Sequence, residues 1–518
     1  MPPRKSLPRP LVSGACAATL LTAAACGGTP SGQNKGELAS DAMFRLAISA
    51  DPGSLNPLGS ELAPVQQIAA FLYDPLVHDQ DGDVTAGLAT KWVTTGSRTT
   101  FDLRAGVTCA DGSPLTADDV AGTLNYVADP KNASPLAGTT VPAGSTAKAS
   151  SDGKQVTLTT PKPSGFLLNG LARLPILCDA GLKDPKKLSR TSSGTGSYTL
   201  QSAKPGSTYQ LVRRDDYAWG PGGATAKTKG LPARVTITVV TNETTATNLL
   251  LGDDLDAGTV AGSDRDRLKA AGLKAGAAEF VFGEFEYNQQ SGRPTADPTV
   301  RLALTQALNL KELLQVATSG TGTQPTRLTG VSPCGKGDIV AALPQHDVAA
   351  AKTELASLSG KKLTLVYLSR LGPAAASAAD LAVEQWKKAG VTVVARGLSD
   401  AQLLQVAYET GDFDIAWIPI DGQNPAQVVA SYSGPHPAKG GGNFARIAND
   451  TYTELAAKAM RQDGAEACAT WKKAEASLVS AADVTPFANS DYPIWATKNA
   501  SFDVDFVGVV PMSVRMYR

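Results

Sequence analysis

Between residues 362 and 396 a strand, a helix and a strand follow one another, and this limits what the chain can fold into. Residues 362–369 alternate as a strand does, 375–389 form a helical stretch stopped by Gly390, and 391–396 read as a second strand. Such a unit sets its strands parallel, with the helix across one face. A helix over 400–409 and a strand over 413–420 extend it into a parallel α/β core. Upstream, 347–358 reads as an Ala-rich helix capped by Asp347. Residues 297–316 carry Val300, Leu302, Ala303, Ala307, Leu310, Leu313 and Leu314 at helical spacing. Helices over 452–460 and 466–480 follow.

Before residue 290 the texture differs. Period-two strands run over 44–49, 99–104 and 154–159, with turns at Asp111-Gly112 and Ser151-Asp-Gly153. Thr116-Ala-Asp-Asp119 has the form of a capping box, with Asp in the place of Glu, ahead of a helix over 120–127. Pro205-Gly206 turns into a strand, 231–241 is another, and 244–251 is a helix. The last residues return to strand-like sequence at 493–497 and 506–510. The simplest layout is a mixed first lobe, an α/β second lobe and a C-terminal return to the first.

The amino terminus reads as an export signal. Arg4, Lys5 and Arg9 precede an apolar, small-residue run over 11–25, ending Ala23-Ala24-Ala25-Cys26-Gly27-Gly28. That run is shorter than the ~20 residues that a membrane-spanning helix needs. Cys26 at the cleavage point resembles a bacterial lipobox, with Ala23 where leucine is usual; in that reading Cys26 is the lipidated first residue of the mature protein. Residues 26–42, rich in small and polar residues, form a flexible tail between anchor and body.

The whole chain of 518 residues has 48 basic and 48 acidic side chains; without residues 1–25 its net charge is −3. Nothing in it forms the basic stripe that nucleic acid requires. Four cysteines remain in the body: Cys109, Cys178, Cys334 and Cys468. In an exported protein an even number reads as two disulfides. Pairing nearest neighbours gives Cys109–Cys178 and Cys334–Cys468, each contributing about 4–5 kcal/mol by constraining the unfolded chain. Free thiols and a metal site are the alternatives; the metal site lacks a Cys-x-x-Cys, and His78, His346 and His436 are scattered. No Gly-x-Ser-x-Gly or His-Glu-x-x-His occurs, so an exported hydrolase is disfavoured. Gly194-Thr-Gly196 lacks the Gly-Lys-Ser/Thr ending of a phosphate loop and reads as a tight turn.

Several strings together resemble the extracytoplasmic solute-binding proteins of ABC importers, in the peptide/opine/nickel class. They are Ser49-Ala-Asp-Pro-Gly-Ser-Leu-Asn-Pro57, Leu72-Tyr-Asp-Pro-Leu-Val77, Gly87-Leu-Ala-Thr-Lys-Trp92, Asp111-Gly-Ser-Pro-Leu-Thr-Ala-Asp-Asp-Val120, Gly194-Thr-Gly-Ser-Tyr198, Val300-Arg-Leu-Ala-Leu304, and Phe413-Asp-Ile-Ala416 with Asp421-Gly-Gln-Asn-Pro425. The resemblance implies an α/β, two-lobed clamp with mixed sheets, lobe I over 43–285 and 486–518 and lobe II over 286–485. Two chain crossings, near 284–290 and 484–490, would form the hinge. The expected protein is a non-enzymatic monomer without cofactor or metal. It would capture a small solute, foremost a short peptide, for a permease and its ATPase; an opine, sugar or nickel chelate, or a sensor without transport, are the alternatives.

The resemblance also proposes contacts. Asp421 aligns with an acid that in peptide-binding relatives pairs with the α-amino group; read alone, Asp421-Gly422 is an ordinary turn. Ile418 stands where relatives often carry Trp, and Asn424 replaces a second acid, a departure from the peptide-binding pattern. Tyr287 and Asn288 fall on the presumed crossing strand, as solute contacts or structural hydrogen bonds. Trp417 and Tyr432 are candidates to wall the cleft, or plain core. Pro435-His436-Pro437 reads as a surface loop. Cys26→Ala should move the protein from the membrane fraction into the medium; unchanged retention would refute the anchor.

Overall fold

A computed structural model describes residues 36–80, 83–329, 333–420, 422, 424–439, 441–462 and 464–518. Cys26 and Asp421 lie outside the described residues.

Strands from both parts of the chain join in one ten-stranded mixed sheet, which takes only the first of the three period-two segments, 44–49. On one side Met43–Ile48 runs parallel to Arg234–Val239, setting Phe44 opposite Val235 and Leu46 opposite Ile237. These four side chains are all buried, as the alternation requires. The hairpin Tyr198–Lys204 and Thr208–Arg213 extends this half antiparallel. On the other side Lys362–Leu368 lies between Thr392–Leu398 and Ile415–Trp417, all parallel. The helix Gly372–Lys388 connects the first two, the expected crossover.

Two long strands join the halves. Lys274–Tyr287 and Val484–Ala496 pair antiparallel from Lys274↔Ala496 to Glu286↔Val484, with a register shift around Gly283. A Cβ on Gly283 would run into the ring of Phe487, so glycine lets that ring cross the strand at the irregularity. Apolar clustering changes along this ribbon: Ile494 packs with the core built from residues 39–257, whereas Phe285, Phe487 and Ala488 pack with the helices and strands of 300–417. The molecule therefore has two lobes with separate cores and one shared sheet.

A separate antiparallel sheet of Ala89–Thr95, Arg98–Leu103, Gln155–Thr159 and Thr146–Ala149 covers part of the first lobe. The capping box forms: Asp119 N–H donates to Thr116 Oγ1 at 3.1 Å, and Thr116 N–H to Asp119 Oδ2 at 2.8 Å, opening the helix Ala117–Ala128. Asp347 caps Val348–Glu354 through the N–H groups of Ala349 and Ala350. Cys109–Cys178 and Cys334–Cys468 are both bonded.

Three local expectations change. The helical run over 297–316 is two helices, Pro298–Gln306 and Leu310–Ala317, because Asn309 caps the second by accepting from Glu312 N–H. The strand expected over 413–420 is only Ile415–Trp417. Residues 506–510 do not form a strand. Asp505 Oδ1 accepts the N–H groups of Val507 and Gly508, tightening a turn, and buried Gln67 both donates to Val509 O and accepts from Val509 N–H. One side chain there takes the place of a neighbouring strand.

Two of the sequence strings meet at Asp74. Its buried carboxylate accepts from Thr195 Oγ1, Tyr217 Oη and Trp219 Nε1 at 2.8–2.9 Å, and burial pushes its pKa up to about 6. Gly196 lies against the backbone of Leu72 and Tyr73, which a Cβ would strike. Gly194-Thr-Gly196 is thus a packing element under the Leu72-Tyr-Asp-Pro75 turn. Gly196→Ala should lower stability by about 1–3 kcal/mol in denaturant titrations; an unchanged midpoint would mean that the contact relaxes freely.

Candidate functional site

The two joining strands carry an aromatic pair on one face. Register places Ala278 opposite Tyr492 and Phe280 opposite Ser490, so Phe280 and Tyr492 are diagonal neighbours. Their rings stack with centroids 4.9 Å apart and planes 6° apart. This face floors a cavity of about 460 Å³. Its walls are the carboxyl end of Met43–Ile48, the helix start at Leu62, Ala63 and Pro64, and the turn that holds Phe506 and Val507. A cavity beyond the carboxyl ends of sheet strands is where open α/β sheets bind ligands. Leu62 and Tyr492 are 64% and 61% exposed, yet both line this concavity.

Glu61, Ala63, Phe506 and Val507 also line an adjoining cavity of about 250 Å³, with Arg173 and Gln427. The Arg173 guanidinium lies over the Phe506 ring, 4.8 Å from its centroid. Gln427 Nε2 donates to Thr139 O at 2.9 Å, joining the segment after Asp421 to the opposite lobe. A third cavity, of about 840 Å³, lies between Trp92 and Asn169 on one side and Cys334, Cys468 and Lys472 on the other. At its edge Phe166 of the first lobe faces Trp471 of the second at 6.5 Å. The second and third concavities are lined from both lobes and lie in the cleft between them; the first, lined by the first lobe and the joining strands, adjoins the second. Among the described residues no cluster of His, Cys, Asp and Glu is arranged to hold a metal ion.

The four described contact candidates lie behind this cleft, in the core. Tyr287 is fully buried, its hydroxyl hydrogen-bonded with Thr305 Oγ1 at 3.0 Å. Asn288 Nδ2 donates to the carbonyls of Gly411 and Phe413. Trp417 Nε1 donates to Phe282 O at 2.7 Å, and its ring packs on Phe285 and Phe487. Tyr432 Oη donates to Glu284 Oε1 at 2.7 Å. Trp417 and Tyr432 tie the segment that begins at Ile415 to the first joining strand, Asn288 ties Gly411 and Phe413 to it, and Tyr287 bonds into the helix Pro298–Gln306. The cleft residues that sequence reasoning missed are Leu62, Phe280, Tyr492 and Phe506. Their only local signal is apolar character, which core residues share.

Tyr432 leads to an unusual pair. Glu284 and Glu286, two residues apart on the first joining strand, are both fully buried and act on each other electrostatically. Apart from each other, Glu284 Oε2 and both Glu286 oxygens have no side-chain partner among the described residues. Burial pushes the Glu284 pKa up to about 7 and, together with the Glu284 charge, raises that of Glu286 well above its usual value. The charge of Glu475 also bears on Glu284, though Arg327 neutralises that acid through bonds of 2.6 and 3.0 Å. Tyr408 and Tyr452 complete the surroundings. A proton held between the two carboxyls satisfies both.

A family model described as "Bacterial extracellular solute-binding proteins, family 5 Middle" matches residues 83–440. The chain belongs to this family. Family 5 proteins are receptors that serve ABC importers, not enzymes. The periplasmic murein peptide-binding protein MppA of Escherichia coli K12 is 26% identical over 482 residues, covering 85% of this chain and 86% of that protein. A substrate-binding protein of Microbacterium hydrocarbonoxydans, solved with 4-hydroxybenzoate hydrazide, is 25% identical with a TM-score of 0.72, covering 92% of this chain and all of that one. NikA of Brucella suis, solved with Fe(III)-EDTA, shares the fold at 18% identity and a TM-score of 0.73, again over 92% of this chain and all of that one. The family 5 fold accounts for the cleft: two lobes, one ribbon between them, and cavities along the seam.

Both buried glutamates bind a proton more tightly in the folded chain than in the unfolded one. Their contribution to stability is complete below the unfolded carboxyl pKa; that of Glu284 is lost as pH rises through about 7, and that of Glu286, also raised, is lost in the same direction. Wild-type Tm should therefore fall between about pH 4 and 8, and Glu286→Gln should flatten that fall; parallel curves would refute the shared proton.

Proposed function

We propose that this chain is a lipid-anchored, monomeric receptor that captures a short peptide between its lobes and delivers it to the permease and ATPase of an ABC importer. The observation that carries the reading is the cleft that two strands cross among the described residues, with exposed apolar side chains on its floor. Solute that touches both lobes would favour the closed arrangement, since only differential contact shifts such an equilibrium. In this reading lobe I comprises 43–285 and 486–518, and lobe II comprises 286–485. Residues 1–25 are the signal, and Cys26 is the lipidated residue. The tether that follows is shorter than the 26–42 expected, because residues 37–41 pack on the carboxyl end: Leu38 pairs with Tyr517, Ala39 N–H donates to Met516 O, and Asp41 pairs with Arg518.

Asp421 is the proposed partner of the peptide's α-amino group, a charge-assisted pair that strengthens as closure removes water. Tyr287, Asn288, Trp417 and Tyr432 act as supports of the segment that carries it. The name of MppA, a murein peptide-binding protein, supports a peptide ligand. The Microbacterium complex with 4-hydroxybenzoate hydrazide and the apolar first cavity favour a second reading, a receptor for a non-peptide solute.

The mature body should gain several degrees in Tm with saturating di- or tripeptides. Its radius of gyration in small-angle scattering should shrink on binding. Asp421→Ala should weaken peptide binding by about 2–5 kcal/mol in calorimetry. No shift with any peptide would overturn the peptide reading, and an unchanged dissociation constant would remove Asp421 from the site.

A further inference from the structure

The cavity of about 460 Å³ beside the joining strands has a chemistry of its own. Its described lining is mostly apolar: Leu62, Ala278, Phe280, Tyr492, Ile494 and Phe506. The charged residues in its described lining are two acids, Glu61 and Asp505. The Arg173 charge of the adjoining cavity acts on Asp505, leaving Glu61 as the acid without a basic neighbour in the lining. Asp505 is engaged in its own turn, and Glu61 Oε1 accepts from Thr139 Oγ1 at 2.8 Å. Gln67, the remaining large polar side chain, spends both ends of its amide on Val509. The cavity thus offers an entering group apolar contact and negative charge.

The stacked pair defines the shape of that contact. Phe280 is half-buried and supports Tyr492, whose ring is 61% exposed although large apolar residues of this chain are mostly buried. An exposed aromatic ring in a concavity, held flat by a second ring beneath it, is a platform for another flat apolar group. Both rings sit on the strands that join the lobes. A ligand stacked there touches the ribbon that must bend when the lobes close.

Resting on the receptor reading above, the geometry points to a ring-binding subsite at Phe280 and Tyr492, which selects solutes with an aromatic group and no negative charge at that end. Arg173, in the adjoining cavity and absent from this one, marks the direction in which an anionic end would extend.

Calorimetric titration of the mature protein with Ala-Phe-Ala, Ala-Ala-Ala, Ala-Glu-Ala and 4-hydroxybenzoate hydrazide tests this. Ala-Phe-Ala should bind tightest of the peptides and Ala-Glu-Ala weakest. Tyr492→Ala should weaken Ala-Phe-Ala about tenfold and leave Ala-Ala-Ala within about twofold, whereas Tyr492→Phe should bind like wild type. Tyr492-dependent binding of the hydrazide alone would support the ring subsite and overturn the peptide reading. Equal affinity for the three peptides, unmoved by Tyr492→Ala, would overturn the subsite and leave the receptor standing. Silence with all four compounds would overturn both. Unliganded Tm, measured for each variant, separates lost binding from lost folding.

Discussion

The antiparallel pairing of Lys274–Tyr287 with Val484–Ala496 is the constraint on which the rest depends. It makes one sheet from strands whose side chains belong to two cores. It also sets which side chains share a face: Phe280 and Tyr492 floor the first cavity, while Phe285 and Phe487 anchor the second lobe. A one-residue slip would turn each of these side chains to the other face. The shift around Gly283 lies where the ribbon passes from one core to the other, and its fit with Phe487 specifies that position.

Polar burial in the second lobe follows from the same ribbon. Glu284 and Glu286 face inward beside Tyr432, with the Arg327–Glu475 pair near them. Buried carboxyls persist only if paired, hydrogen-bonded or protonated. Tyr432 links this group to the segment that leaves the sheet after Trp417 and carries Asp421. The cleft-side segment is therefore braced from behind by hydrogen bonds, and the floor of the cleft is free for apolar contact. Aromatic side chains near the strand ends are thus of two kinds, buried ones in the core and Tyr492, whose ring is exposed in the first cavity.

Local signals were legible where the chemistry is local. The Thr116–Asp119 capping box and the Asp347 cap formed as their spacing requires, since each joins atoms a few residues apart. The strand–helix–strand unit after residue 360 formed with small shifts at its ends. The strand expected at 506–510 failed because Gln67, far away in sequence, takes the backbone hydrogen bonds of Val509. Tyr287, Asn288, Trp417 and Tyr432 fall on or beside the joining strands, but that all four face the core depends on the registers of the joining strands and of Ile415–Trp417.

The sequence by itself determined the alternation of elements, the caps, the even number of cysteines in the body and, through the order of its motifs, the family. These are properties of short segments or of composition, and they survive without knowledge of distant contacts. Only the tertiary structure decided the floor of the cleft and the buried glutamate pair. Phe280 and Tyr492 are brought together by strand register across most of the second lobe, and no local pattern separates such residues from ordinary core. The physical reason is that burial and facing are set by partners, and those partners lie hundreds of residues apart in order along the chain.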